Sequence, residues 1–249
     1  MKIALPERRH FIINPKSLRG DRFVLNGQEG RHAARVARMN SGDGITLLDR
    51  SGAAYEAVVE TVNGERIEGR IDYKIDRYHE PAINIYLGIG ILKGAKMDAV
   101  IEKCTELGVR SITPLVLENS VKLSINLQRL QKISLSAMKQ CGRGGQPEVN
   151  DVQKLSAWVD KSSGESKFVL HDSPESVTLA AHLTSSSPCS EVWLAVGSEG
   201  GFSPTEVETF SAAGFRHASL GSRRLRAETA AIVSVALSEQ ILSQEPAVE

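Results

Sequence analysis

The residues best suited to chemistry lie near the carboxyl end, in Leu220-Gly221-Ser222-Arg223-Arg224-Leu225-Arg226-Ala227-Glu228-Thr229-Ala230. A strand-like apolar stretch precedes the segment, and it runs straight into an apolar helical pattern. Guanidinium groups are planar forks that make paired hydrogen bonds to phosphate oxygens or to a developing enolate. Further upstream, Gly197-Ser198-Glu199-Gly200-Gly201 also joins a buried-strand pattern to a helix. Its glycines let the backbone turn sharply and approach a ligand without a Cβ in the way. Ligands of open α/β sheets sit beyond the carboxyl ends of strands. Two such loops, close in sequence, therefore predict one pocket in which arginines hold an anionic partner.

Other pocket chemistries fit less well. Neither loop has the spacing of a P-loop, and Gly88-x-Gly90 lies inside a strand pattern and lacks a third glycine. Triphosphate and dinucleotide readings lose ground accordingly. The three cysteines, Cys104, Cys141 and Cys189, show no C-x-x-C spacing, and no two of the six histidines make a metal-ligand pair. A reduced intracellular protein without a metal site is expected. Cys141 has no identifiable base beside it and reads as structural. Met1–Pro15 contains no apolar core of signal-peptide length, and no run approaches eighteen apolar residues. The expectation is a soluble, cytoplasmic protein with no membrane partner.

Thirty basic residues balance thirty acidic ones, so no global field steers a polyanion. The distribution is uneven: residues 1–40 hold nine Lys/Arg against three acids, and 119–146 hold five against none. Arg8, Arg9, Arg31, Arg35 and Arg38 form an N-terminal basic cluster, and Arg31, Arg35 and Arg38 share a helix face. Arg129, Lys132, Lys139 and Arg143 lie on one broad face of a helix over 126–140 and its exit. Such patches suit RNA phosphates, though a solvated face has the same composition.

The elements that must position these residues follow from periodicity. Residues 1–73 read as a small β-rich domain. Ile67, Gly69, Ile71 and Tyr73 alternate with Arg66, Glu68, Arg70 and Asp72, the period of a half-buried strand. Ala54–Val62 pairs with it across an Asn63-Gly64 turn, Gly44–Leu48 is a third strand, and a short helix covers Gly30–Met39. Polar residues 74–82, with Pro81, read as a linker. From residue 83 to 249, strand and helix patterns alternate, which means a parallel α/β sheet. Strands are expected over Ile83–Leu92, Ile112–Leu117, Phe168–Leu170, Val192–Val196 and His217–Leu220. Helices are expected over Ala95–Leu107, stopped by Gly108, and from an Asn126 cap to Gln140. Ser203-Pro204-Thr205-Glu206 is a capping box with proline at the first helical position.

Gly197–Gly201 together with Leu220–Ala230 resembles the C-terminal signature of the RsmE family. These are ribosomal RNA methyltransferases of the SPOUT class that modify N3 of a uridine in small-subunit rRNA. Lys93-Gly94-Ala95-Lys96-Met97-Asp98, Glu102–Gly108 and Gln140-Cys141-Gly142-Arg143 resemble the same family in order and spacing. Two residues depart from the pattern: Ser198 stands where proline is usual, and Arg224 where isoleucine is usual. The resemblance implies a PUA-like β-barrel followed by a trefoil-knotted SPOUT sheet. It also implies S-adenosylmethionine as cofactor, 16S rRNA of the small subunit as partner, and a homodimer.

On that resemblance Leu170, Gly197, Glu199, Gly200, Gly201, Leu220, Gly221, Leu225, Arg226 and Thr229 would hold the cofactor. Arg226 and Glu199 would carry catalysis, Arg226 facing the target base. Arg8, Arg9, Arg31, Arg35, Arg38, Lys132, Lys139, Gln140, Arg143 and Arg223 would contact RNA. Arg224 would point to solvent or RNA. One of Glu199 and Glu228 would serve near the cofactor's cationic groups or as proton acceptor, the other reading for each being a helix-start carboxylate satisfying backbone amides. That second reading is favoured for Glu228, and Glu199 fits either. The base could equally be solvent or a partner-subunit group. Two other readings remain: a non-catalytic ribosome assembly factor using the same basic surfaces, and a small-molecule α/β enzyme using the glycine loops for a phosphate.

Overall fold

The computed structural model describes residues 9–121, 124–171, 176–187 and 189–243. Arg8, expected to touch RNA, lies outside them. The described chain forms two compact units: residues up to Glu80 together with Met138–Gln146, and Pro81–Ala137 with the chain from Pro147 onward.

The first unit is a six-stranded, mostly antiparallel sheet in the order β1-β4-β5-β6-β3-β2. Its strands are β1 (Arg9–Ile12), β2 (Leu18–Arg19), β3 (Arg22–Leu25), β4 (Gly44–Leu48), β5 (Ala54–Asn63) and β6 (Arg66–Ile75). Phe11, Phe23, Leu25, Ile45, Leu47 and Ile67 fill its core. β6 continues to Ile75, past the expected linker start at 74, because Lys74 and Ile75 pair with Tyr55 and Ala54. The strict alternation fails at Tyr73, which is exposed although Ile67 and Gly69 are buried. Ala57 pairs with Ile71 but Glu56 with Tyr73, so Asp72 is an extra residue that turns the following side chain outward. The expected Gly30–Met39 helix starts earlier, as α1 (Gly27–Arg31), and continues as a wide π turn over His32–Val36. That turn buries Ala33 and Ala37 and leaves Arg35 and Val36 outside.

The second unit is a parallel sheet in the order β10-β8-β7-β13-β11-β14-β12, with β9 beside β8. Its strands are β7 (Asn84–Gly90), β8 (Ser111–Val116), β9 (Glu148–Val149), β10 (Gln153–Lys154), β11 (Lys167–Leu170), β12 (Val177–Thr178), β13 (Glu191–Val196) and β14 (Arg216–Ser219). Every described pairing in it is parallel, so helices must cover both faces. Ile85, Leu87, Ile89, Val192, Leu194, Val196 and Phe168 point to one face. The residues between them, Val169, Trp193 and Ala195, point to the other, where Trp158 and Phe210 pack.

The first face is covered by α2 (Ala95–Glu106), the part of α3 (Leu127–Cys141) belonging to this unit, α5 (Leu179–Ser185) and α7 (Ala227–Leu242). The second is covered by α4 (Leu155–Val159) and α6 (Pro204–Ala212). α2 buries Met97, Val100, Ile101 and Cys104 at three- and four-residue spacing, and Gly108 past its end adopts φ +87°. Asn126 accepts from the Arg129 amide and so caps α3. The capping box of α6 is complete in both directions.

Gly88 and Gly90 are required by packing. A Cβ on Gly88 would lie 2.7 Å from the Trp158 ring, and one on Gly90 would run into the Ser198 backbone nitrogen. The glycine pair that excluded a dinucleotide fingerprint lets an indole and a loop approach the central strand.

Candidate active site

Three adjacent strands, β13, β11 and β14, end side by side, and the chain leaving them builds the site. The loop after β13 is tight: Gly201 donates its amide to the Ser198 carbonyl at 3.0 Å and sits at φ +71°. Asn119 braces it, donating from Nδ2 to the Gly200 carbonyl at 3.2 Å. A Cβ on Gly200 would lie 2.8 Å from that of Asn119. Glu206, buried in the capping box, accepts from the Ser203 amide at 2.8 Å through one oxygen and from the Glu118 amide at 2.8 Å through the other. One carboxylate thus starts α6 and ties the loop after β8 to the loop after β13. The sequence shows the first role only.

The loop after β14 turns at Gly221, φ +106°, and ends at Arg226, the N-cap residue of α7. Leu220 and Leu225 are half-buried, whereas Arg223, Arg224 and Arg226 are exposed. Alternation of apolar and cationic residues thus anchors the loop by its leucines and frees its guanidinium groups.

Between these loops lies a cavity of about 680 Å³. Leu170, Gly197, Glu199, Gly200, Gly201, Leu225 and Arg226 line it, as does Arg224. A smaller cavity of about 110 Å³ shares Leu170, Arg224 and Leu225 with it and adds Leu220, Gly221 and Arg223. Thr229 is exposed on α7 and lines neither cavity. As the third residue of α7 it lies on the exposed side of the helix, whereas its neighbours Glu228 and Ala230 line the larger cavity. Arg223 stands in the smaller cavity.

Two wall residues escaped the reading from sequence, and a third was given a different role. His171 follows β11 directly, and a third strand-end loop was the signal for it. Lys96 enters from the first turn of α2, and its ammonium lies 3.1 Å from Glu199 Oε1. The Lys93–Asp98 motif was the signal there. Glu228, read as a helix-start carboxylate, forms part of the larger cavity's wall, and its Oε2 is enclosed without a hydrogen-bond partner among the described residues.

Glu199 is held in its charged form. Burial by itself would raise its pKa, but its own backbone amide, the Lys96 ammonium and the Lys93 amide outweigh that and keep it below the ordinary carboxylate value. The cavity therefore offers glycine backbone, apolar walls from Leu170, Val196, Phe202 and Leu225, two carboxylates and three cationic side chains. That set suits a ligand with a flat apolar part and a cationic part, beside a second, anionic one.

The proposed RNA contacts divide. Arg31 and Arg35 both pair with Glu65, at 3.1 and 2.9 Å, on an exposed surface where such pairs are weak and exchangeable. Arg9, Arg38, Lys132 and Gln140 are exposed. Two expectations need correction. Lys139 is half-buried, donates to Glu29 at 2.7 and 3.0 Å, and lies over the Phe11 ring. Arg143 is only 4% exposed and is engaged by Glu80. The reason is the same for both: a buried cation needs a carboxylate, and each has one within its own unit.

Residues 79–239 match the RNA methyltransferase domain family, and residues 25–72 match the RNA methyltransferase PUA domain family. The chain is 30% identical over 223 residues to the ribosomal RNA small subunit methyltransferase E of Buchnera aphidicola, covering 86% of this chain and 87% of that one. It is 30% identical to the protein of the same name from Synechocystis, over 93% of this chain and 77% of that one. Its fold is similar to the crystal structure of ribosomal RNA small subunit methyltransferase E from Neisseria gonorrhoeae bound to S-adenosylmethionine. The TM-score is 0.83 at 29% identity, covering 94% of this chain and 98% of that one.

Proposed function

Since the chain belongs to the ribosomal RNA small subunit methyltransferase E family, we propose that it methylates N3 of a uridine in the 16S rRNA of the small ribosomal subunit, with S-adenosylmethionine as donor. The observation that carries this reading is the shared cavity, in which both glycine loops and their charged residues meet. A non-catalytic assembly factor would have no use for a cavity with that lining.

The residues fit the donor. The Gly197–Gly201 backbone and the walls of Leu170, Val196 and Leu225 would take the adenosine, and Glu199 would face its positive charge. Bound there, the donor supplies an activated methyl group. The chain's own task is alignment, worth roughly 7–11 kcal/mol in favourable cases. Unstacking the target base costs about a few kcal/mol, offset by phosphate contacts from Arg223 and Arg224 here and from Arg9, Arg31, Arg35 and Arg38 of the first unit. Arg226 would stabilise negative charge growing on a uracil oxygen.

The threaded loops of the SPOUT class, its homodimer and a cytoplasmic location belong to the same reading. The two loops facing one cavity and the many half-buried apolar residues of α7 support the first two. Among the described residues no helix is long and apolar enough to cross a membrane, and no three side chains group as metal ligands.

The test is direct. Purified protein, labelled donor and small subunits lacking the modification should yield N3-methyluridine by mass spectrometry. Transfer to a different atom or nucleotide, or none, would refute the assignment.

A further inference from the structure

Removing the imide proton of uracil requires an acceptor, and two carboxylates line the cavity. Glu199 Oε1 is already engaged, by the Lys96 ammonium at 3.1 Å and the Lys93 amide at 3.3 Å. Those donors hold it below the ordinary carboxylate range, which makes it a weak proton acceptor. Glu228 is different. Its Oε2 is buried and, among the described residues, meets no donor. An unpaired buried carboxylate oxygen is costly, and the fold tolerates such a group where a function requires it. Among the described residues that hold such an unpartnered buried atom, Glu228 is the one that lines the larger cavity.

We propose, on the reading of the reaction above, that Glu228 is its general base and takes the N3 proton of the target uracil. N3 gains the methyl carbon as the carbon–sulfur bond of the donor breaks, and its proton passes to the Glu228 carboxylate and then to solvent. The placement supports this. Glu228 is the second residue of α7, so the helix start fixes its place beside the loop that ends at Arg226. Arg226, two residues earlier, also lines the cavity.

The pair matches the uracil edge, whose N3–H donor is flanked by two carbonyl acceptors: the carboxylate accepts from N3–H and the guanidinium donates to an oxygen. Cytosine presents a bare N3 acceptor beside an amino donor, so the same pair would reject it. The other charged or titratable groups on this wall are Lys96, His171, Glu199 and Arg224.

Full-length Glu228→Gln, Glu228→Asp and Glu199→Gln proteins are to be assayed for N3-methyluridine across pH, with donor affinity measured by calorimetry. Glu228→Gln should bind the donor as wild type does but lose about 10²-fold or more of its single-turnover rate near neutral pH. Its rate should climb with hydroxide concentration as the imide ionises unaided. Subunits carrying 5-fluorouridine, whose imide is more acidic, should restore much of the loss. Glu228→Asp should keep part of the rate with the wild-type pH dependence.

A loss in Glu228→Gln that is the same at every pH, a loss of donor binding, or near-normal turnover would overturn the assignment. So would hydroxide rescue of Glu199→Gln in its place. If the wild-type protein forms no N3-methyluridine, the reading of the reaction itself fails, and this proposal with it.

Discussion

Arg143 donates from Nε to both carboxylate oxygens of Glu80 at 3.0 Å, and from Nη2 to Oε2 at 2.8 Å. Glu80 also accepts the Gly145 amide at 2.7 Å. The Gln-Cys-Gly-Arg motif therefore ends in a structural fork that fastens residues 138–146 within the first unit. Arg143→Leu should destabilise that unit by about 3–5 kcal/mol, because it leaves an uncompensated buried carboxylate. Chemical denaturation of Arg143→Leu, with and without Glu80→Gln, would measure it; the double variant should recover part of the loss. A single-variant cost below about 1 kcal/mol would place the pair among weak surface bridges.

Gly90 lines neither cavity, yet a Cβ there would strike the Ser198 nitrogen and the Leu117 side chain. Gly90→Ala should displace the loop after β13 and weaken S-adenosylmethionine binding more than tenfold, with a stability cost of about 1–3 kcal/mol. Calorimetry showing unchanged affinity would mean the loop adjusts elsewhere.

Ser198 occupies the family's proline position in that loop. Its side chain makes one long contact, 3.4 Å from Oγ to the Asn119 carbonyl. Restoring proline removes that contact and stiffens the backbone, two small effects of opposite sign. Ser198→Pro should shift donor affinity by less than about tenfold, and a larger change in a titration would contradict it.

Arg226 is exposed, lines the larger cavity and caps no amide of α7 with its side chain. Arg226→Ala should leave the melting temperature unchanged and reduce turnover by about 10²-fold or more, the usual effect of removing a charge-stabilising donor. Near-normal turnover would take Arg226 out of the mechanism.

His32 sets a pH dependence in the first unit. Its pKa is lowered by burial first and by the Lys139 ammonium next, with Glu29 opposing and Arg9 assisting. Lys139 Nζ lies 3.1 Å from its Nδ1. A histidine with a depressed folded pKa disfavours the folded state when protonated. Its neutral-form stability is complete above the ordinary histidine value of about 6.5 and declines as pH falls below it. Melting temperatures between pH 7 and 5 should fall less steeply for His32→Gln than for wild type. Parallel curves would exclude His32 as the source.

The order of elements, the capping box, the stripe of α2 and the two loops facing a cavity are legible from residue types and spacing. Those are local matters: an amide needs a cap, a buried face repeats at the period of its element, and a sharp turn needs glycine. Tertiary structure decided which charges are free. Arg143 and Lys139 look like Arg223 and Arg38 in the sequence, but their fates depend on Glu80 and Glu29, 63 and 110 residues away. Tyr73 faced outward because one extra residue in its strand changed its phase. Glu228 and Glu199 differ for the same reason as the arginines, since Lys96 reaches one carboxylate and no described side chain reaches the other. Periodicity records which side of an element a residue occupies; the partner brought to it by a distant strand end is a property of the assembled sheet alone.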